Sequence, residues 1–184
     1  AGLLNVPLPS FFSPAQLQHA IRDAGIDTLL TDQPERAMQL AADFVPAGIS
    51  PQTGLHLFRR HGSPSPQPVP PGTLKITYTS GSTAAPKGVC LSAPSLESVA
   101  TSLAVATADL GLTRHLCLLP LATLLENVGG VHAALRSGAS CIIPSLTTTG
   151  MSYGGLEPQK LLATITAHEP SSLILVPELL RVLV

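Results

Sequence analysis

The residues best suited to chemistry lie together in Ile76–Ser92, ITYTSGSTAAPKGVCLS. Thr79, Ser80, Ser82 and Thr83 supply hydroxyls, Gly81 lets the backbone approach a ligand closely, and Lys87 adds a mobile positive charge. A small-residue loop between two strands presents N–H groups and hydroxyls to one concave point. That arrangement suits an anion with several oxygens, such as a polyphosphate. Pro86 restricts Ala85 to extended conformations and so aims the lysine.

Two better-known loops use similar ingredients, and neither matches. The Walker A pattern G-x-x-x-x-G-K-[ST] fails because Gly81 leads to Pro86-Lys87-Gly88. The nucleophile elbow G-x-S-x-G fails because Gly81 directly precedes Ser82 and no second glycine follows at the needed step. On composition alone, a plain polar hairpin tip stays an equal alternative.

The elements that must hold this loop can be read from the flanking patterns. LKITYTS reads as a strand leading into the loop and GVCLS as the return strand. Upstream, Ser13 caps a helix with Pro14 at its first position, Leu17, Ala20 and Ile21 as its apolar stripe, and Gly25 as its stop. DTLLTD predicts a short buried strand, Asp32 caps a second helix over Glu35–Phe44, and GLHLFRR predicts another strand. Downstream, Ser92 caps a long helix over Leu96–Leu110. Strand HLCLLP, helix Leu124–Arg136, strand ASCIIP, a Gly/Ser/Thr loop, helix Pro158–His168, strand SSLILVP and the start of a further helix follow. This alternation predicts an α/β fold, a largely parallel sheet with flanking helices.

The domain reading is a lead-in over 1–60, a proline-rich connection over 61–72 (HGSPSPQPVPPG) that acts as a spacer, and a phosphate-loop α/β part over 73–184 of the same domain. The opening AGLLNVPLPSFF lacks an initiator methionine, and the chain stops within the apolar run PELLRVLV. Both ends read as incomplete.

With 184 residues, 45% hydrophobic and 11% charged, there is ample material for a core. A net charge of −1, with no basic run longer than Arg59-Arg60, argues against a nucleic-acid surface. No apolar stretch reaches the length of a membrane span, and the expected location is cytoplasmic. Cys90, Cys117 and Cys141 lie on apolar segments without metal or redox spacing and read as buried free thiols. The six histidines show no ligand spacing, so no metal site on protein ligands is assigned.

The ordered string Tyr78–Val89, YTSGSTAAPKGV, closely resembles the phosphate-loop signature of the AMP-forming adenylate synthetases. That superfamily includes acyl-CoA synthetases, peptide-synthetase adenylation domains and luciferases. Its form runs roughly Y-T-S-G-S-T-G-x-P-K-G-V, and Ala84 alone departs, standing where glycine is usual. LCLLPLATLLENVGGVHAALRSGASCIIP, HEPSSLILVPELLRVLV and VPLPSFFSPAQLQHAIRDAGIDTLLTD are similar to further family segments, so the likeness covers nearly the whole chain. Long-chain acyl-CoA synthetases read approximately Leu-Pro-Leu-Ala-His followed shortly by Glu. Here Thr123 stands for the histidine and Glu126 occupies the acidic place. Glu126 on its own reads equally as a solvated helix position.

The resemblance implies a fragment of the large N-terminal domain of an acyl-CoA synthetase. Such an enzyme joins a carboxylic, here fatty, acid to ATP, releases pyrophosphate and passes the acyl group to coenzyme A, with Mg²⁺ offsetting phosphate charge. Thr79, Ser80, Gly81, Ser82, Thr83 and Lys87 would hold the phosphates, and Thr123 and Glu126 would lie near the acyl pocket. The family's Tyr-Gly-x-Thr-Glu and Thr-Gly-Asp segments and its C-terminal adenylation lysine are absent from the sequence, so the fragment is expected to be inactive alone. Peripheral membrane contact of the complete enzyme and the oligomeric state stay open. Two alternatives stand beside this reading. One is a fatty-acyl-AMP ligase that passes the adenylate to a carrier-protein thiol. The other is a non-catalytic regulatory module that keeps the fold, which the Ala84 departure favours. Ala84 is also expected to stiffen the loop, and the unliganded loop to be among the most mobile segments.

Overall fold

A computed structural model describes residues 3–62, 68–79, 85–152 and 155–183. They gather into two compact units, Ala1–Leu91 and Ser92–Val184.

In the first unit, helix α1 (Pro14–Asp23) begins at Ser13, whose side chain accepts from the Gln16 N–H while the Gln16 side chain accepts from the Ser13 N–H. This reciprocal capping box satisfies two donors left over at the helix start. Leu17, Ala20 and Ile21 are buried, as the apolar spacing predicts. Strand β1 (Thr28–Thr31), helix α2 (Pro34–Leu40), and strands β2 (Phe44–Ile49) and β3 (His56–Arg60) follow. The three strands form a sheet in the order β1-β3-β2, antiparallel throughout, with Leu29 opposite Phe58 and Val45 opposite Arg59. Strands β4 (Thr73–Thr79) and β5 (Lys87–Ser92) pair separately. The core joins Leu17, Ile21, Phe44 and Phe58 to Ile76 and Tyr78 of β4.

Three expectations for this unit need correction. Helix α2 ends at Leu40 rather than Phe44, and Gln33, not Asp32, precedes it, without a side-chain cap. Pro46 forbids helix beyond this point, and Phe44 enters the core at the head of an unpredicted strand. That strand, β2, tolerates Pro46 because it lies at the sheet edge, with a register shift between Pro46 and Gly48. Strand β1 is half-buried rather than buried. Leu29 packs on the core while Leu30, on the opposite face, stays 60% exposed.

In the second unit, Ser92 caps helix α3 (Ala93–Ala106) by accepting from the Ser95 N–H. The expected helix to Leu110 stops early. The Thr107 hydroxyl donates to the Leu103 carbonyl, and a short 3₁₀ turn, Ala108–Leu110, carries the chain to Gly111 in the left-handed region. Strand β6 (Arg114–Leu116) leads to a π-helical stretch, Leu125–His132, continued by α4 (Ala133–Arg136). Strand β7 (Ser140–Ile142), helix α5 (Leu146–Thr149), the small hairpin β8 (Met151–Ser152) and β9 (Gly155–Leu156), helix α6 (Pro158–His168), strand β10 (Ser172–Leu173) and helix α7 (Pro177–Leu183) complete the unit. Leu116, Leu118, Leu161 and Leu179 form its core. The segment read as a Gly/Ser/Thr loop thus carries a short helix. Ser145 caps α5 through the Thr148 N–H, and Gly150 ends it with a positive φ.

The α/β class holds, and the parallel sheet, β10-β6-β7, belongs to the second unit, while the three-stranded sheet of the first unit is antiparallel. Helical connections separate its strands, whereas β2 and β3 are joined by the short turn around Ser50–Leu55, which can only reverse the chain.

Candidate functional site

The loop expected to grip phosphate springs from β4 and returns through β5. Thr79 ends β4 and Lys87 opens β5, and both are exposed. Ser80, Gly81, Ser82 and Thr83 lie outside the described residues, as does Ala84, so the expectations of stiffness and mobility fall there too. The stems on either side of that gap are held tightly. Tyr78, one residue before Thr79, is buried and its hydroxyl donates to Asp23 Oδ2 at 2.6 Å. Burial, then the hydrogen bond and negative charge of Asp23, hold the Tyr78 hydroxyl well above its ordinary range and keep it protonated.

On the return side, the Pro86 carbonyl lies 3.0 Å from His19 Nε2. A carbonyl only accepts, so that nitrogen carries the proton. The His19 ring also meets the Tyr78 ring edge-on, with centroids 6.5 Å apart. Between the strands, Gly88 faces Ile76 and Tyr78 so closely that a Cβ would come within 2.9 Å of Ile76 Cγ2. Sequence reading identified Tyr78 and Pro86 as parts of the loop but missed His19 and Asp23. Both are polar residues four apart on one face of α1, off its apolar stripe, and nothing local ties them to the loop.

In the second unit, Glu126 is fully buried rather than solvated. Its Oε2 accepts from the Leu119 N–H at 2.9 Å, and its Oε1 lies 2.8 Å from His115 Nε2. His115 Nδ1 lies 3.0 Å from the Ser172 hydroxyl. With Glu126 as a carboxylate, His115 Nε2 carries a ring proton and donates it to Oε1, while Nδ1 pairs with the Ser172 hydroxyl. The order hydroxyl–imidazole–carboxylate is that of hydrolytic relays. Here His115 is only 2% exposed and both its nitrogens are occupied, so the relay ties β6, β10 and the π-helical stretch together. The wider π turn and Gly130 make room for it, since a Cβ on Gly130 would collide with Glu126 Oε1 and His115 Nε2. Thr123 lies in the turn before this helix, its hydroxyl donating to the Pro120 carbonyl at 2.8 Å. Glu126 and Thr123 therefore both fasten the Leu119–Thr123 segment from within.

A family profile described as AMP-binding enzyme matches residues 1–184. The chain belongs to the AMP-binding enzyme family. It is also 37% identical over 101 residues to the FR901469 synthetase of Dothideomycetidae sp. (strain 11243), a match covering 52% of this chain and 1% of that protein.

The thiols of this family member differ from expectation and from one another. Cys117 is buried, Cys141 half-buried and Cys90 exposed. Cys90 lies on β5, whose only strand partner is β4 among the described residues and whose first four residues are all exposed. Burial and the adjacent Glu126 charge push the Cys117 thiol up to about 12, and the same two causes raise Cys141. Among the described residues no helix is long and apolar enough to cross a membrane, and no three His, Cys, Asp or Glu side chains come together as a metal site.

Proposed function

We propose that this chain supplies the polyphosphate grip of an ATP-dependent, adenylate-forming ligase. A carboxylate oxygen attacks the α-phosphorus of ATP, the bond to the bridging oxygen breaks, and pyrophosphate leaves with that electron pair. An acyl-adenylate results, and a thiol then displaces AMP. Thr79, Ser80, Gly81, Ser82, Thr83 and Lys87 hold the β- and γ-phosphates and then the departing pyrophosphate. The charge of Lys87 and the N–H donors of the loop oppose the negative charge that builds there. The observation that carries this reading is the string YTSGSTAAPKGV, whose described ends, Thr79 at the close of β4 and Lys87 at the opening of β5, are both exposed. Among the described residues no ligand set for magnesium comes together.

The acid is a fatty acid and the acceptor coenzyme A in the reading that LPLAT…E supports, with Thr123 and Glu126 shaping the wall beside the acyl group. A carrier-protein thiol is the second reading. The match to a far longer synthetase favours it, since a chain of that size has room to carry its own acceptor. The test is ATP–pyrophosphate exchange in the natural full-length protein. Lys87→Ala is expected to lower exchange by roughly a hundredfold, as removal of one preorganised charge-stabilising donor does, with the fold intact. Near-wild-type exchange counts against the assignment. Release of acyl-CoA from that protein decides for coenzyme A, and acylation of a carrier thiol decides for the second reading.

A further inference from the structure

We infer that helix α1 sets the phosphate loop: His19 and Asp23, one helical turn apart, are positioning residues that fix the two stems from which Thr79 and Lys87 project. The inference rests on the reading of this loop as the polyphosphate grip.

The two contacts fall on opposite ends of one loop. Asp23 holds Tyr78, the residue before Thr79, and His19 holds Pro86, the residue before Lys87. Residues four apart on a helix stand about 6 Å apart on one face, so a single rigid element sets the spacing of both stems. The His19 and Tyr78 rings also meet edge-on, so the helix touches the β4 stem through both residues. Helix α1 can bear this load because it is pinned independently. Its start is closed by the Ser13–Gln16 capping box, and Leu17, Ala20 and Ile21 anchor it in the core that includes Tyr78.

The two holding groups are themselves half-buried and belong to helix α1, not to the loop sequence. His19 spends its proton on a backbone carbonyl, which no change of neighbouring side chain can remove. Asp23 accepts from a hydroxyl that burial keeps protonated. Neither residue is assigned to touch the nucleotide. Their effect reaches it through Thr79 and Lys87, whose positions determine how well the loop fits phosphates whose oxygens are fixed in space. Loosening one stem should therefore weaken the fit to ATP and leave the acid site untouched.

The experiment is steady-state ATP–pyrophosphate exchange in the natural full-length protein, comparing wild type, His19→Leu, His19→Gln, Tyr78→Phe and Lys87→Ala. His19→Leu is expected to raise KM for ATP roughly five- to tenfold, the worth of one positioned hydrogen bond, with KM for the acid unchanged. His19→Gln restores a side-chain N–H at similar reach and should return KM for ATP toward wild type. Tyr78→Phe keeps the ring, removes only the donor to Asp23, and should also raise KM for ATP, which carries the test if His19→Leu folds poorly. Exchange that depends on Lys87 but is indifferent to His19→Leu and Tyr78→Phe overturns the clamp alone. Equal defects in His19→Leu and His19→Gln overturn it as well. Exchange indifferent to Lys87→Ala overturns the phosphate-loop reading and the inference with it.

Discussion

His115 Nε2 and Glu126 Oε1 stand 2.8 Å apart in a pocket that admits almost no solvent to either side chain. The contact exists because Gly130, four residues on in the same π-helical stretch as Glu126, has no side chain to occupy the space. Glu126 also holds the Leu119 N–H, so one carboxylate organises both a strand end and a helix. Glu126→Ala strands a buried imidazole and a backbone donor, and should cost about 3 kcal/mol or more. Glu126→Gln keeps the shape and one acceptor and should cost less. Gly130→Ala should destabilise by about 1–3 kcal/mol through overpacking. Urea denaturation of the three variants checks the order, and a Glu126→Ala protein as stable as Glu126→Gln contradicts it.

How far the sequence disclosed this depends on the range of the forces involved. Helix α1 was legible because its cap, first-turn proline, apolar stripe and glycine stop are all local. The same holds for α6, found over Pro158–His168 as read. Strand β2 was not legible, because Pro46 and Gly48 weaken its strand signal and only pairing with β3 supplies the rest. The loop motif was plain in one dimension, but its holders were not. His19 and Asp23 lie more than fifty residues from their partners, a separation no local pattern encodes. Glu126 was misread as equally fit for solvent for the same reason, since His115 and Leu119 become its partners only when β6 and the π-helical stretch fold together.

Tyr78 gives the first unit an alkaline limit. Its hydroxyl is held above the ordinary value of 10.0 in the folded protein, through burial and then Asp23. Above pH 10 the unfolded chain therefore binds fewer protons than the folded one, and stability falls as pH rises. The contribution is fully present below pH 10 and is lost progressively above it. Equilibrium unfolding measured from pH 8 to 11 should show this decline, and Tyr78→Phe should flatten it. An identical slope in the variant would assign the decline to other groups.

The cysteines should separate cleanly by reactivity. Burial and the Glu126 charge keep Cys117 a protonated thiol, raised to about 12, and Cys141 is raised by the same causes. The thiolate is the nucleophile, so both should resist alkylation at pH 7.5, while exposed Cys90 reacts. Iodoacetamide labelling mapped by mass spectrometry checks this. In Glu126→Gln, loss of the neighbouring charge should speed Cys117 labelling without altering Cys90. Fast native labelling of Cys117 in wild type would contradict its burial.

Gly88 offers the sharpest test of how the loop stem is packed. A Cβ there would lie 2.9 Å from Ile76 Cγ2 and 3.2 Å from Tyr78 Cζ, closer than side chains tolerate. Both neighbours belong to the first unit's core, so neither swings freely aside. Gly88→Ala should then cost about 1–3 kcal/mol from overpacking. Ile76→Ala removes Cγ2 and leaves a cavity, with a cost of about 2–5 kcal/mol. Combined, the two changes should cost less than their sum, because the new methyl enters space that the first change opened. Strict additivity in urea unfolding would mean that the β4–β5 stem relaxes away from the contact. In that case Tyr78 would move with it, and its hydrogen bond to Asp23 would no longer register the position of the loop.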